Sequence, residues 1–340
     1  MQSRPTTTLM FIALALGVVL LFFVNISFGS VRIPVSETFQ RLTGGQTSKE
    51  TWDYIIVNYR LPKAVTAVLA GMGLSVSGLL MQTLFRNPLA GPYVLGLSSG
   101  SSLGVALVVL GAGLLPASSW LLSSYGIITA SCLGSFLVLL AVMAVSQKLR
   151  DTAAILIVGL MFGSFTSAFV GVLTYFSSAE QLQKFMFWSL GNLGNLSWLS
   201  VGILATAVFI GLAMAVYSIK SLNALLLGEN YAKSLGLNYR KSTFIIVVAT
   251  SILAGSITAF AGPIAFVGLA VPHIARLIFQ TSNHNVLFWA TLFLGAMVML
   301  VCDLFSQIPG TDLTLPINAI TSIIGAPVVV WLILKKRKLA

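Results

Sequence analysis

The sequence predicts an all-α polytopic membrane protein with about ten transmembrane helices, and three observations predict it. Apolar residues fill 57% of the 340 positions and charged residues only 8%, where a soluble domain carries about 25%. The stretches Asn87 to Gln147 and Phe185 to Ile219 contain no Asp, Glu, Lys or Arg. The basic residues sit mainly in short loops between apolar runs, where they report orientation rather than an affinity for nucleic acid.

A helix needs about 20 residues to cross the hydrocarbon core. Walking the chain with that length gives spans near 9–28, 64–84, 93–114, 120–146, 153–175, 196–219, 242–260, 264–280, 286–302 and 315–334. The first resembles a secretory signal, since Arg4 precedes an apolar run, but the run continues through Phe28 without a small-x-small cleavage pattern and reads as a retained span. Ser242 to Ala275 is uncharged throughout and would be about 50 Å long as one helix. Gly262-Pro263 breaks it, because proline removes a donor and disfavours helix in the residue before it.

Ten spans put both termini on one side. Thirteen basic and two acidic residues then share that side, against six basic and six acidic opposite, so the termini are expected in the cytoplasm. Cys132 and Cys302 lie in separate apolar runs without a partner motif and read as packing residues, not as a disulfide or zinc site.

The whole chain, 1–340, reads as one transmembrane domain with two longer loops. Outside, the extracytoplasmic segment 30–63 places Val35, Phe39 and Leu42 at helical spacing after Pro34, the pattern of a short amphipathic helix on the membrane surface. Inside, segment 220–241 carries a short helical stretch bracketed by Gly228 and Gly236. Ala90-Gly91-Pro92 with Gly96-Leu97 is echoed by Ala261-Gly262-Pro263 with Gly268-Leu269, on spans of opposite direction. Inverted repeats near 61–176 and 240–334 would produce that echo, as would chance in apolar sequence.

Catalysis finds little support. Two histidines, few carboxylates, no His-Glu-x-x-His and no Gly-x-Ser-x-Gly leave no reacting constellation, and no metal or cofactor is implied. The phosphate-cradling Gly-x-x-x-x-Gly-Lys-Ser/Thr loop is missing too, so any ATP has to be handled by a partner. An ion-coupled secondary transporter is the competing class. Its relays place ionisable groups at membrane depth, and here His273, Arg276 and Asp303 fall near span ends, where they read as structural or interfacial. In the fifth span Gly159, Gly163, Ser167 and Gly171 recur every four residues, a smooth stripe for close helix packing or for a bulky substrate. The third span, from Gly96 to Gly104, is similarly rich in glycine and serine.

Several motifs in order resemble the FecCD family of permeases: Tyr59-Arg60-Leu61-Pro62-Lys63, Gly78 to Gln82, Arg86-Asn87-Pro88-Leu89-Ala90-Gly91-Pro92, Leu227 to Gly236, Gly262 to Arg276, and Leu315-Pro316-Ile317 to Gly325-Ala326-Pro327. The resemblance implies the type II ABC importer permease architecture in an inner (cell) membrane. It also implies a homodimer or paired permeases, two cytoplasmic ABC ATPase subunits and an extracytoplasmic substrate-binding protein. The cargo would be an iron chelate, a siderophore first, haem or cobalamin next, moved by alternating access. Arg60 and Lys63 match the basic pair that in this family meets acidic residues of the binding protein, with Lys63 lacking the bidentate fork of arginine. Gly228, Glu229, Ala232, Leu235 and Gly236 match the coupling helices that enter a groove of the ATPase. The stripe Gly159, Gly163, Ser167 and Gly171 matches a helix bordering the central pathway at the dimer interface. Gln307 stands where cobalamin-type relatives carry a further arginine, so docking is expected to rest on fewer charges.

Overall fold

Hydrocarbon offers a stray backbone amide no partner, so a chain this apolar has to pair its N–H and C=O groups within each segment. The computed structural model describes residues 4–113, 121–146, 152–194, 196–307 and 314–337, and among these it is helical with no strand. In chain order the helices are α1 (Arg4–Ser27), α2 (Val35–Leu42), α3 (Glu50–Ile55), α4 (Leu61–Leu84), α5 (Leu97–Val109), α6 (Ser124–Ser146), α7 (Thr152–Tyr175) and α8 (Ala179–Leu190). They continue as α9 (Trp198–Tyr217), α10 (Ile219–Leu226), α11 (Glu229–Ser234), α12 (Tyr239–Ala261), α13 (Val267–Phe279), α14 (His284–Ser306) and α15 (Ile317–Arg337).

Each of the ten expected spans coincides with one helix: α1, α4, α5, α6, α7, α9, α12, α13, α14 and α15. Among the described residues, seven segments are long and apolar enough to cross a membrane, and α5, α13 and Ile317–Trp331 of α15 are shorter apolar helices. The two 13-residue helices, α5 and α13, reach only about 20 Å. Both follow a Gly-Pro motif: a 3₁₀ turn (Pro92–Leu95) leads into α5, and the α12 helix stops at Ala261 before α13 begins at Val267. Lys148, Arg150, Asp151, Asp312 and Lys338, which entered the orientation count, lie outside the described residues.

The chain divides into two compact units. One comprises Met1–Val76, Asn192–Thr206 and Ala265–Ala340. In it α14 packs on α1, α13 and α15. A Cβ on Gly17 would meet the Met297 thioether, and Phe11 of α1 packs against Phe279 of α13 at 5.0 Å between ring centroids. Backbone meets backbone where α4 crosses α14, because a Cβ on Gly71 would strike the Gly295 carbonyl and one on Gly295 would strike Gly71 and Ser75. Apolar lipid gives no hydrophobic drive to pair helices, so the attraction comes from this close approach and from hydrogen bonds such as Ser75 Oγ to the Thr291 carbonyl, 3.1 Å.

The other unit comprises Ser77–Gly191 and Ala207–Ile264. Here α5 lies against α6, α7 and α12. Gly100 and Gly104 face the carbonyls of Gly134 and Ala130, and Ser101 bonds the Ser135 hydroxyl, which also donates to the Leu97 carbonyl at 3.1 Å. Gly100, Ser101 and Gly104 of the third span therefore serve helix packing. Cys302 is buried, as a packing residue should be, whereas Cys132 is exposed on α6.

Helix α8 was not foreseen. Its start is nonetheless written locally: Ser178 Oγ accepts from the Gln181 N–H while Gln181 Oε1 accepts from the Ser178 N–H, a capping box. Glu180 and Lys184 pair one turn apart at 2.8 Å, and that pairing holds the Glu180 carboxyl below its ordinary range.

Gly295→Val should destabilise the protein by at least about 2 kcal/mol, since branched bulk at a backbone contact can only be accommodated by separating α4 from α14. Thermal unfolding in detergent, with Gly202→Ala at an open position as control, measures it.

Candidate functional site

Three surfaces carry the residues singled out by sequence. The first is the end of α1 and α4 in the first unit. Segment 30–63 folds as α2, α3 and a π-helical turn, Ile56–Arg60, that runs into α4. Val35, Phe39 and Leu42 of α2 are all exposed, the apolar stripe expected of a surface helix. Arg41 pairs with Asp53, and Glu37 accepts from the Ser48 hydroxyl and, at 2.8 Å, from its backbone N–H. Those bonds hold the Glu37 carboxyl below its ordinary range.

The wider π turn changes which way its residues face. Arg60 points inward: Nη1 donates to the carbonyls of Ile26 at 2.9 Å and Ser27 at 2.8 Å, and Nη2 to that of Val31. Gly29 leaves the room, since a Cβ there would stand 2.8 Å from Nη2. Trp198 Nε1 donates to the Val57 carbonyl at 3.0 Å, serving an acceptor within the π turn. Arg60 thus ties off the carbonyl end of α1.

Lys63 also turns inward. Its ammonium stands 3.0 Å from Asp303, a carboxylate 1% exposed, while the Lys63 side chain keeps 18% exposure. Asn25 Nδ2 donates to the other Asp303 oxygen at 2.9 Å, and Ser306 Oγ lies 3.4 Å from the first. Assigning the Gln307 amide by its neighbours puts its oxygen 3.0 Å from Lys63 Nζ and its nitrogen 3.1 Å from the Phe28 carbonyl. Gln307 thus completes a polar knot joining the ends of α1, α4 and α14. Sequence reasoning missed Asp303 as the partner of Lys63, and a separation of 240 positions carries no local signal.

The second surface is α10 with α11 in the second unit. Gly228 at φ 113° and Gly236 at φ 84° bracket α11 in backbone conformations that side chains resist. Ala232 is fully buried, its N–H bonded to the Gly228 carbonyl at 2.8 Å and its carbonyl accepting from Leu237 at 3.1 Å. Glu229 pairs with Lys233 at 2.6 Å. This anchorage leaves Leu227, Tyr231 and Leu235 exposed, at 61%, 58% and 61%.

The third is α7. Its four-residue stripe divides: Gly159 is buried with its carbonyl beside Gly96, and a Cβ on Gly163 would stand 3.3 Å from Ser99 Oγ, whereas Ser167 is exposed and Gly171 meets nothing within 4 Å. Half the stripe is spent packing on α5. The other half is open on the chain's surface.

Helices of this length and apolarity, broken twice by short half-helices, define a multi-pass membrane protein. The chain belongs to the FecCD transport family, which it matches over residues 17–335. It is 34% identical over 327 residues to the hemin transport system permease protein HmuU of Yersinia pestis, covering 96% of each chain. It is 35% identical over 280 residues to the vitamin B12 import system permease protein BtuC of Citrobacter koseri, covering 82% of each. Among solved structures it superposes on an inward-facing conformation of a putative metal-chelate type ABC transporter, with a TM-score of 0.82 and 28% identity over 96% of this chain and 99% of that one. It is a permease of the ABC importer class, located in the cell membrane.

Lys63→Met should cost about 3 kcal/mol, because it leaves the Asp303 charge buried without its cation. Adding Asp303→Leu should return most of that loss. A double-mutant cycle by thermal unfolding measures the coupling, and additive effects would mean that the pair does not hold α4 to α14.

Proposed function

We propose that this permease carries a bulky metal chelate inward by alternating access, driven by a separate ABC ATPase that grips α10 and α11. The observation that carries the reading is α11 itself. It is a short polar helix, too charged for lipid, locked in place through Ala232 yet presenting Tyr231 and Leu235 outward. Apolar anchors held rigid in water are what a protein partner needs. The absence of a phosphate-binding loop in the sequence assigns ATP hydrolysis to that partner.

Haem and cobalamin, both metal macrocycles, are the cargoes named for two of the similar permeases. They move ahead of the ferric siderophore that the family resemblance put first. The open half of the α7 stripe, Ser167 and Gly171, is where a second permease copy and the pathway between copies fit best, because small residues permit close approach without tight binding. The paired short helices after Gly91-Pro92 and Gly262-Pro263 support the inverted-repeat plan over 61–176 and 240–334. The termini face the cytoplasm on the charge count.

Docking of a binding protein on the opposite side falls to Lys63, whose ammonium retains one donor and some exposure. Arg60 serves docking through structure, by fixing the turn that presents Lys63.

Uptake into liposomes holding the permease, its ATPase and its binding protein, tested with haem, cobalamin and ferrichrome, decides the cargo: ATP-dependent entry of a macrocycle is expected. Entry driven by an ion gradient without ATP would overturn the mechanism. Ala232→Pro should abolish uptake while ATP hydrolysis continues, since proline deletes the N–H that anchors α11. Lys63→Gln should weaken docking a few-fold, most at low salt, and salt-independent unchanged binding would remove Lys63 from the docking surface.

A further inference from the structure

We infer that Arg86 is the charged member of the α10–α11 face and meets a carboxylate of the cytoplasmic ATPase. The inference rests on that face being the ATPase contact, and adds to it a residue about 140 positions away in sequence.

Arg86 lies just beyond α4, in the left-handed backbone region at φ 46°, its N–H bonded to the Thr83 carbonyl at 3.2 Å. An arginine held in that region marks a position where direction matters. Its guanidinium reaches Gly228: Nη2 would stand 3.5 Å and Nη1 3.9 Å from a Cβ on that glycine. The side chain is exposed, and no carboxylate among the described residues pairs with it. The acid beside Gly228, Glu229, is taken by Lys233. An uncommitted guanidinium therefore stands at the edge of a face whose exposed anchors are Leu227, Tyr231 and Leu235.

The occupant that fits is a protein cleft, apolar at its floor and bearing Asp or Glu at its rim. Guanidinium offers such a carboxylate two parallel N–H donors, a match lysine lacks. A lipid headgroup would satisfy the charge but not Tyr231, on a helix carrying Glu229, Asn230, Lys233 and Ser234, or Leu235, which caps that helix, so both project into water.

The test measures binding of the purified ATPase to immobilised permease in neutral detergent. Arg86→Glu should weaken binding about tenfold at low salt, with the deficit shrinking as salt screens the charge. Arg86→Lys should weaken it by about threefold, the loss of the fork with retention of charge. Leu235→Asp serves as the comparison, because it strikes the apolar anchor and leaves Arg86 intact. If Leu235→Asp weakens binding and Arg86→Glu does not, the face stands and the role of Arg86 is overturned. If neither does, the face itself is not the contact and the inference falls with it. If Arg86→Glu acts only when anionic phospholipid is added back, the guanidinium serves a headgroup and the inference is overturned.

Discussion

In hydrocarbon no water waits to pair a backbone amide, and that single constraint shapes the rest of this protein. It forces helices along nearly the whole described chain, and it makes every departure from helix a place where some side chain must supply the missing partner. With the apolar drive between helices gone, association depends on how closely backbones approach. Hence the glycines at the crossings: Gly71 on Gly295, and Gly100 and Gly104 on α6.

The departures from helix obey the same rule. Where α12 stops, the Ile264 N–H and the Thr258 hydroxyl both donate to Tyr93 Oη, at 3.4 and 3.3 Å. Tyr93 belongs to the 3₁₀ turn after the other Gly-Pro motif, so the two breaks are joined through one phenol. One residue further on, the Ala265 N–H finds Asn318 Oδ1 at 3.0 Å. Phe266 takes a left-handed conformation at φ 65° and packs on Gly325, where a Cβ would collide with it. Broken backbone is tolerated at these points because protein groups serve its amides.

Charge is treated in the same way. Asp303 is almost wholly buried, yet a lysine, the Asn25 amide and a hydroxyl surround it. A carboxylate so neutralised is a poor proton relay and a good clamp, which weighs against the ion-coupled reading and ties three helices together at one end. The two basic residues of the Tyr59 to Lys63 motif are consequently occupied within the chain, and only part of Lys63 is left for an outside partner.

The sequence by itself determined the ten apolar helices, the break at Gly262-Pro263, the surface stripe of α2 and the glycine-bracketed α11. Each of these rests on hydropathy, periodicity or turn chemistry within about 20 residues, which is the range over which such signals act. Even the overlooked α8 was legible in its Ser178–Gln181 capping box. Only the tertiary structure decided the direction of Arg60 and Lys63, because Arg60 lies in a π turn facing the end of α1 and Asp303 arrives from α14 to meet Lys63. It likewise decided which half of the α7 stripe is spent on packing, and it brought Arg86 beside Gly228. These are meetings between side chains far apart along the chain, and no local pattern encodes a partner that arrives from elsewhere.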